Sequence, residues 1–145
     1  MKKIRIILAI ILIATFSVLL ITKESSSKNI SVDKQISLAI FAGNNYTSEA
    51  YKDALATVEV TVTEQTGIGQ NIVWKKEFSD LALKDYPAFQ NALTQKVTIP
   101  NVIENKERLM VNYTITYNTG GSILQLSGDS LVPAGSTTQN LCINV

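Results

Sequence analysis

Histidine is absent from the 145 residues, which removes the commonest general base, the commonest zinc ligand and every Ser-His-Asp or Cys-His arrangement. One cysteine, Cys142, cannot close an internal disulfide, so an exported domain has to be held by packing alone. Its position near the C-terminus also excludes a lipid on an N-terminal cysteine. Charge is scarce: 13 Lys+Arg against 12 Asp+Glu leave a formal +1, too weak a field to gather nucleic acid, and no nucleic-acid partner is expected. No internal repeat of 20–50 residues is visible, which excludes solenoids and propellers. The length is that of one domain.

What is present begins with an apolar block. From Ile6 to Ile21 no residue is charged, and Lys2, Lys3 and Arg5 precede the block with no acid before Glu24. That one-sided basic flank is the pattern of an export signal whose N-terminus stays in the cytoplasm. Extended to Thr22 the run is 17 residues, about 25 Å of helix against a hydrocarbon core of about 30 Å. Residues 1–23 are therefore read as a signal peptide or a signal-anchor transmembrane helix, with Ile6, Leu8, Ile10, Ile13, Leu19 and Ile21 as its lipid-facing or translocon-facing side chains. A cleaved leader gives a periplasmic or secreted protein; an uncleaved one gives a membrane-anchored protein facing outward. No A-x-A tripeptide follows the block, although Thr15 with Ser17 and Ser25 with Ser27 offer small pairs.

Residues 24–33 read as a flexible linker and 34–145 as the exported domain. Its hydrophobic content, within a chain of mean hydropathy +0.15, is too high for a disordered tail. Period-2 alternation is the clearest signal there: Val58, Val60 and Val62 share one face, and Leu109, Val111, Tyr113, Ile115 and Tyr117 share another. Weaker strand signals cover 35–42, 72–78, 96–99, 122–127 and 138–145. Gly67 with Gly69, and Gly120 with Gly121, supply turns for two hairpins, the first by offering positive φ, and Pro100 is read as the end of the strand before it. Short helices are predicted over Ser48–Ala56 and within Ser79–Leu93, where Pro87 suits a first helical turn. The fold expected is mainly β: an antiparallel two-sheet β-sandwich, immunoglobulin-like or related, with one or two short helices behind the leader helix.

Chemistry without histidine would have to rest on carboxylates or oxygen ligands. Asp80 with Asp85, and Glu104 with Glu107, are the acid pairs, all expected on connections and solvated there. No calcium-loop motif is present, so no metal site and no cofactor are assigned. Tyr46 and Tyr51, in the loop and helix after Gly43, are the aromatic side chains freest to meet a ligand; with Asp80 and Asp85 they form the candidate ligand-binding loops of an alternative reading, a carbohydrate- or calcium-dependent domain. Trp74 shares strand parity with Ile72 and Phe78 and is expected in the core. Cys142 is read as a small apolar filler.

One asymmetry stands out. Between Asn118 and Val145 only Asp129 is charged, so a strand there lacks the lysines that blunt a sheet edge. The terminal strand, with Leu141, Ile143 and Val145, is expected either to pair centrally or to offer an edge to another chain. The expected function is a non-enzymatic envelope or cell-surface binding or assembly module, held to the membrane through its N-terminal helix if uncleaved, with a protein partner or self-association. The intact mass of the chain recovered from cells tests the leader directly: an anchored protein keeps the full 15.9 kDa, and a cleaved one loses the first 20-odd residues.

Overall fold

The structure, a computed structural model, describes residues 29–43 and 53–145, the side chain of Asp80 excepted. Seven strands carry almost all of the described chain: β1 (Ser31–Phe41), β2 (Leu55–Thr66), β3 (Gly69–Ala82), β4 (Leu93–Ile103), β5 (Arg108–Asn118), β6 (Ile123–Leu131) and β7 (Thr138–Asn144). They form a three-stranded sheet in the order β4-β1-β7 and a four-stranded sheet in the order β3-β2-β5-β6. The two sheets share one core, the arrangement of a β-sandwich.

Alternation builds that core. Ile36, Leu38 and Ile40 of β1 face Val58, Val60 and Val62 of β2 and Val111 and Ile115 of β5, all buried, while their polar neighbours point outward. Each such side chain contributes about 1.5–3 kcal/mol by leaving water. Ile143 and Val145 close the same layer from the C-terminus, where the Val145 amide donates to the Phe41 carbonyl at 2.8 Å.

Several expectations need correction. β1 starts at Ser31, paired with Ile103, so the segment expected to be linker already carries a ladder. β7 runs parallel to β1, so the sandwich is not wholly antiparallel. Of the helix expected over Ser48–Ala56, residues 48–52 lie outside the described residues, and β2 takes Leu55 and Ala56 because their pairing with Asn118 and Tyr117 outweighs local propensity. Between β3 and β4 there are only two single 3₁₀ turns, Leu83–Asp85 and Phe89–Asn91. Leu83 and Tyr86 from this connection plug one end of the core, with the Tyr86 hydroxyl donating to the Ala56 carbonyl at 3.0 Å.

Pro100 does not end its strand. β4 continues to Ile103, and the bulge opposite Val32–Lys34, with Asn101 at φ 60°, absorbs the missing N–H on what is an edge strand. A second bulge, at Val62–Thr63, sets Ile72 opposite Thr63 and leaves Ile72 exposed, while Trp74 and Phe78 stay half-buried against the core. The β2–β3 hairpin closes through Gly67 and Ile68 without positive φ at either glycine; positive φ occurs instead at Gly120 and Gly135.

Gly128 of β6 sits opposite Tyr113 of β5, and a Cβ there would overlap the tyrosine ring. Replacing Gly128 by alanine is expected to cost about 1–3 kcal/mol in urea unfolding through that overlap. Most of the loss should be recovered when Tyr113 is also shortened to valine; an equal loss in both backgrounds would refute the steric origin.

Candidate functional site

Two regions outside the uniform core can be weighed as sites. The first lies at the end of the sandwich where β1 begins. Its open cavity of about 390 Å³ is lined by Lys34, Glu104, Glu107, Arg108 and the turn after β6. Lys34 is on the inner face of β1 and almost fully buried. Its ammonium group bonds to the Glu104 carboxylate, to the Ser136 carbonyl at 2.5 Å and to the Pro133 carbonyl at 3.4 Å. A buried lysine is tolerated because its three protons find three acceptors.

Glu104 also accepts the Gly135 amide at 2.8 Å. Its carboxyl is held below the ordinary carboxylate range, first by the hydrogen bond from Lys34 and then by that from Gly135. Glu107, four residues after Ile103, folds back to accept the Ile103 amide at 2.7 Å and so closes the β4–β5 turn. Glu64 behaves oppositely: burial, then the neighbouring charge of Glu107 and a hydrogen bond to it, push its carboxyl up. The acids Glu104 and Glu107 therefore do meet in one concavity, but each is committed to tying loops together, and Lys34 has no free proton position to offer a substrate.

The second region is the side of the sandwich made by β6 and β7. Among the described residues β6 has a strand neighbour only in β5, and β7 only in β1. The Gln139 amide donates to the Ser130 hydroxyl at 3.3 Å, so these two edges lie on the same flank. β6 is exposed along its length, with Ile123 at 71%, Leu124 at 58%, Leu126 at 50% and Leu131 at 51% of full exposure. An open groove of about 460 Å³ runs along its inner face between Leu124, Leu126, Tyr117, Leu83 and Ala54. The opposite flank is treated differently: β3 carries Lys75, Lys76 and Glu77, β4 carries Lys96 and Pro100, and Lys76 points inward to bond Gln95 of β4 at 2.5 Å. Those are the usual devices against strand addition; β6 and β7 have no lysine, no proline and no bulge, and Asp129 is their one charge.

The sequence-predicted residues are distributed as follows. Leu141 is half-buried, and Ile143 and Val145 are buried on the inner side of β7 or just beyond it, so the terminal segment contributes its edge by backbone and its side chains to the core. Asp85 is exposed at the end of a 3₁₀ turn, and Asp80 lies within β3 rather than in a loop. Tyr46, Tyr51 and the leader residues Ile6, Leu8, Ile10, Ile13, Leu19 and Ile21 lie outside the described residues. Cys142 is exposed on the outer face, in a shallow groove beneath the Phe89 turn, and is not a core filler. Sequence reasoning missed β6 as the barest edge, although the charge-poor stretch that contains it was visible. Comparison with protein-family models, curated proteins and solved structures finds no match to this chain.

The two shifted carboxyls make opposite contributions to the pH dependence of folding. Glu104, depressed in the folded state, stabilises above the ordinary carboxylate pKa of about 4.3, and that contribution is lost as pH falls through its lower folded value. Glu64, raised in the folded state, stabilises fully only below that ordinary value and loses the contribution as pH rises through its folded value. At pH 7 Glu104→Gln is expected to melt below the parent and Glu64→Gln above it, both differences shrinking in acid; thermal melts across pH 3–7 read the signs.

Proposed function

We propose that the chain is an exported β-sandwich, immunoglobulin-like or related in topology, that works as a non-enzymatic binding or assembly module in the envelope or at the cell surface. It is tethered outward by its N-terminal helix, or released when that helix is cleaved. The observation that carries the reading is the flank formed by β6 and β7, two bulge-free edges on one side with four large apolar side chains of β6 half or more exposed. Exposed apolar side chains beside an open groove mark a contact site, and an unblocked edge offers main-chain hydrogen bonds to an added strand.

The polar cavity supports the same reading from the other side. Its buried lysine and its carboxylates are spent on holding β1, the β4–β5 turn and the β6–β7 connection together. The sequence contributes the address: a basic start and an uncharged apolar run ahead of a domain that needs no disulfide.

The test is chemical cross-linking in intact cells of the source, comparing the parent chain with Leu126→Lys. The parent is expected to give one defined adduct and to be digested by protease added outside the cytoplasmic membrane. Leu126→Lys, which places a charge on an already exposed position and should cost less than about 1 kcal/mol of stability, is expected to lose the adduct while remaining folded and exported. A chain protected from external protease, or an adduct indifferent to Leu126, would overturn the proposal.

A further inference from the structure

We infer that the partner of this flank is a second copy of the chain, joined by antiparallel pairing of β6 with β6 across a two-fold axis at Ser127. The inference rests on the assembly reading above and names its surface and occupant. The pairing would turn the four-stranded sheet β3-β2-β5-β6 into one continuous sheet running through both copies.

Self-pairing follows from what β6 presents. Its ladder with β5 runs from Ile123–Asn118 to Leu131–Met110 without a register shift, so the free side is straight enough to accept a full-length neighbour. Its residues are uncharged except Asp129, which makes the strand compatible with its own copy provided that Asp129 does not face itself. An axis through Ser127, the middle of the nine residues, meets that condition. It sets Ile123 against Leu131 of the other copy, Gln125 against Asp129, and Leu126 against Gly128, so every outward side chain meets an outward one. Ile123 and Leu131, the two apolar residues at the outer ends, then cover each other twice in one isologous contact. An axis through Asp129 would instead place two carboxylates opposite one another, which is destabilising.

Nine residues at about 3.3 Å span about 30 Å, and the edge is two sheets tall, about 20 Å, only at the Ser130 end that Gln139 of β7 reaches; along Leu124 and Leu126 it is one sheet tall, about 10 Å. The pairing therefore buries less than about 1,200 Å² in all, the size of a weak, concentration-dependent dimer. The opposite flank cannot compete, because Lys75, Lys76 and Glu77 lie along β3 and both of its ladders with β2 and β1 with β4 are broken by bulges.

The experiment uses the full chain in mild detergent, with Cys142→Ser as the background so that introduced thiols report alone. Light scattering is expected to give twice the single-chain mass, and Ile123→Lys to give the single-chain mass with an unchanged β-sheet circular dichroism spectrum. Independently, Ser127→Cys is expected to form a covalent dimer on mild oxidation, because residues facing each other across antiparallel strands have Cα atoms about 4.5–5.5 Å apart, within disulfide range. Ile123→Cys alone should form no covalent dimer under the same oxidation, and should cross-link when mixed with Leu131→Cys. A parent chain that is monomeric at all concentrations, its β6 covered by its own remaining residues or by nothing, overturns the inference. So does a dimer that survives Ile123→Lys or fails to cross-link at Ser127. If in that case intact cells still give an adduct that depends on Leu126, the assembly reading stands with a different partner; if that adduct is also missing, both fall.

Discussion

Among the described residues, three strands lie over four and do not cover them all. The sheet β4-β1-β7 packs over β3-β2-β5-β6, with β4 set against β3 and the valines of β2 and β5 taking the central positions. The strand left over is β6, and its inner residues Leu124 and Leu126 therefore line an open groove instead of a core. Everything distinctive about this domain follows from that mismatch: the apolar flank, the groove and the bareness of one edge. A sandwich of equal sheets with the same strand sequences would bury those leucines and present little but hydroxyls and amides.

The two flanks show how the same edge problem is met in one place and left unmet in another. On the β3–β4 side, inward and outward lysines, a proline and three register shifts interrupt any added strand. Lys76 does two things there, bonding Gln95 and lying 5.0 Å over the Phe78 ring. On the β6–β7 side the outer surface is a ladder of neutral bonds, Thr114 with Ser127 at 3.3 Å and Gln125 to Thr116 at 3.2 Å. Neutral ladders stabilise a sheet without repelling another one.

The buried Lys34 belongs to the scaffold of this flank. It draws the β4–β5 turn, through Glu104, and the β6–β7 connection, through two carbonyls, onto the first turns of β1. Burying an ammonium group is costly unless each proton is accepted, and here the acceptors come from segments about 70 and 100 residues away in the chain. The lysine thus fixes where β6 ends and β7 begins, and so the relation between the two bare edges.

Much of the strand content was legible from period-2 runs such as Val58–Val62 and Leu109–Tyr117, since alternation records which side of a pleat meets the core. At Leu55 and Ala56, and around Ala88, the helical expectation was overridden because local propensity there is weak beside the pairing of β2 with β5 and the plugging of the core by Tyr86. The parity argument misplaced Ile72 because a bulge at Val62–Thr63 shifts the register by one residue, and bulges leave no periodic trace. Glu104 and Glu107 were recognisable as a pair of acids, but nothing in their spacing announced Lys34, which stands 70 residues earlier.

By itself, then, the sequence determined the β character of the part that follows the apolar block, its dependence on packing in place of disulfides or metal-bound histidine, and the presence of a charge-poor C-terminal stretch. Those are properties of composition and of short-range alternation, which act before the chain has any global shape. Only the tertiary structure decided that this stretch forms both strands of one flank, that the barest of them is β6, and that Lys34 closes the end beside it. Strand order and the count of strands per sheet are set by contacts between distant segments, and no local pattern carries that information.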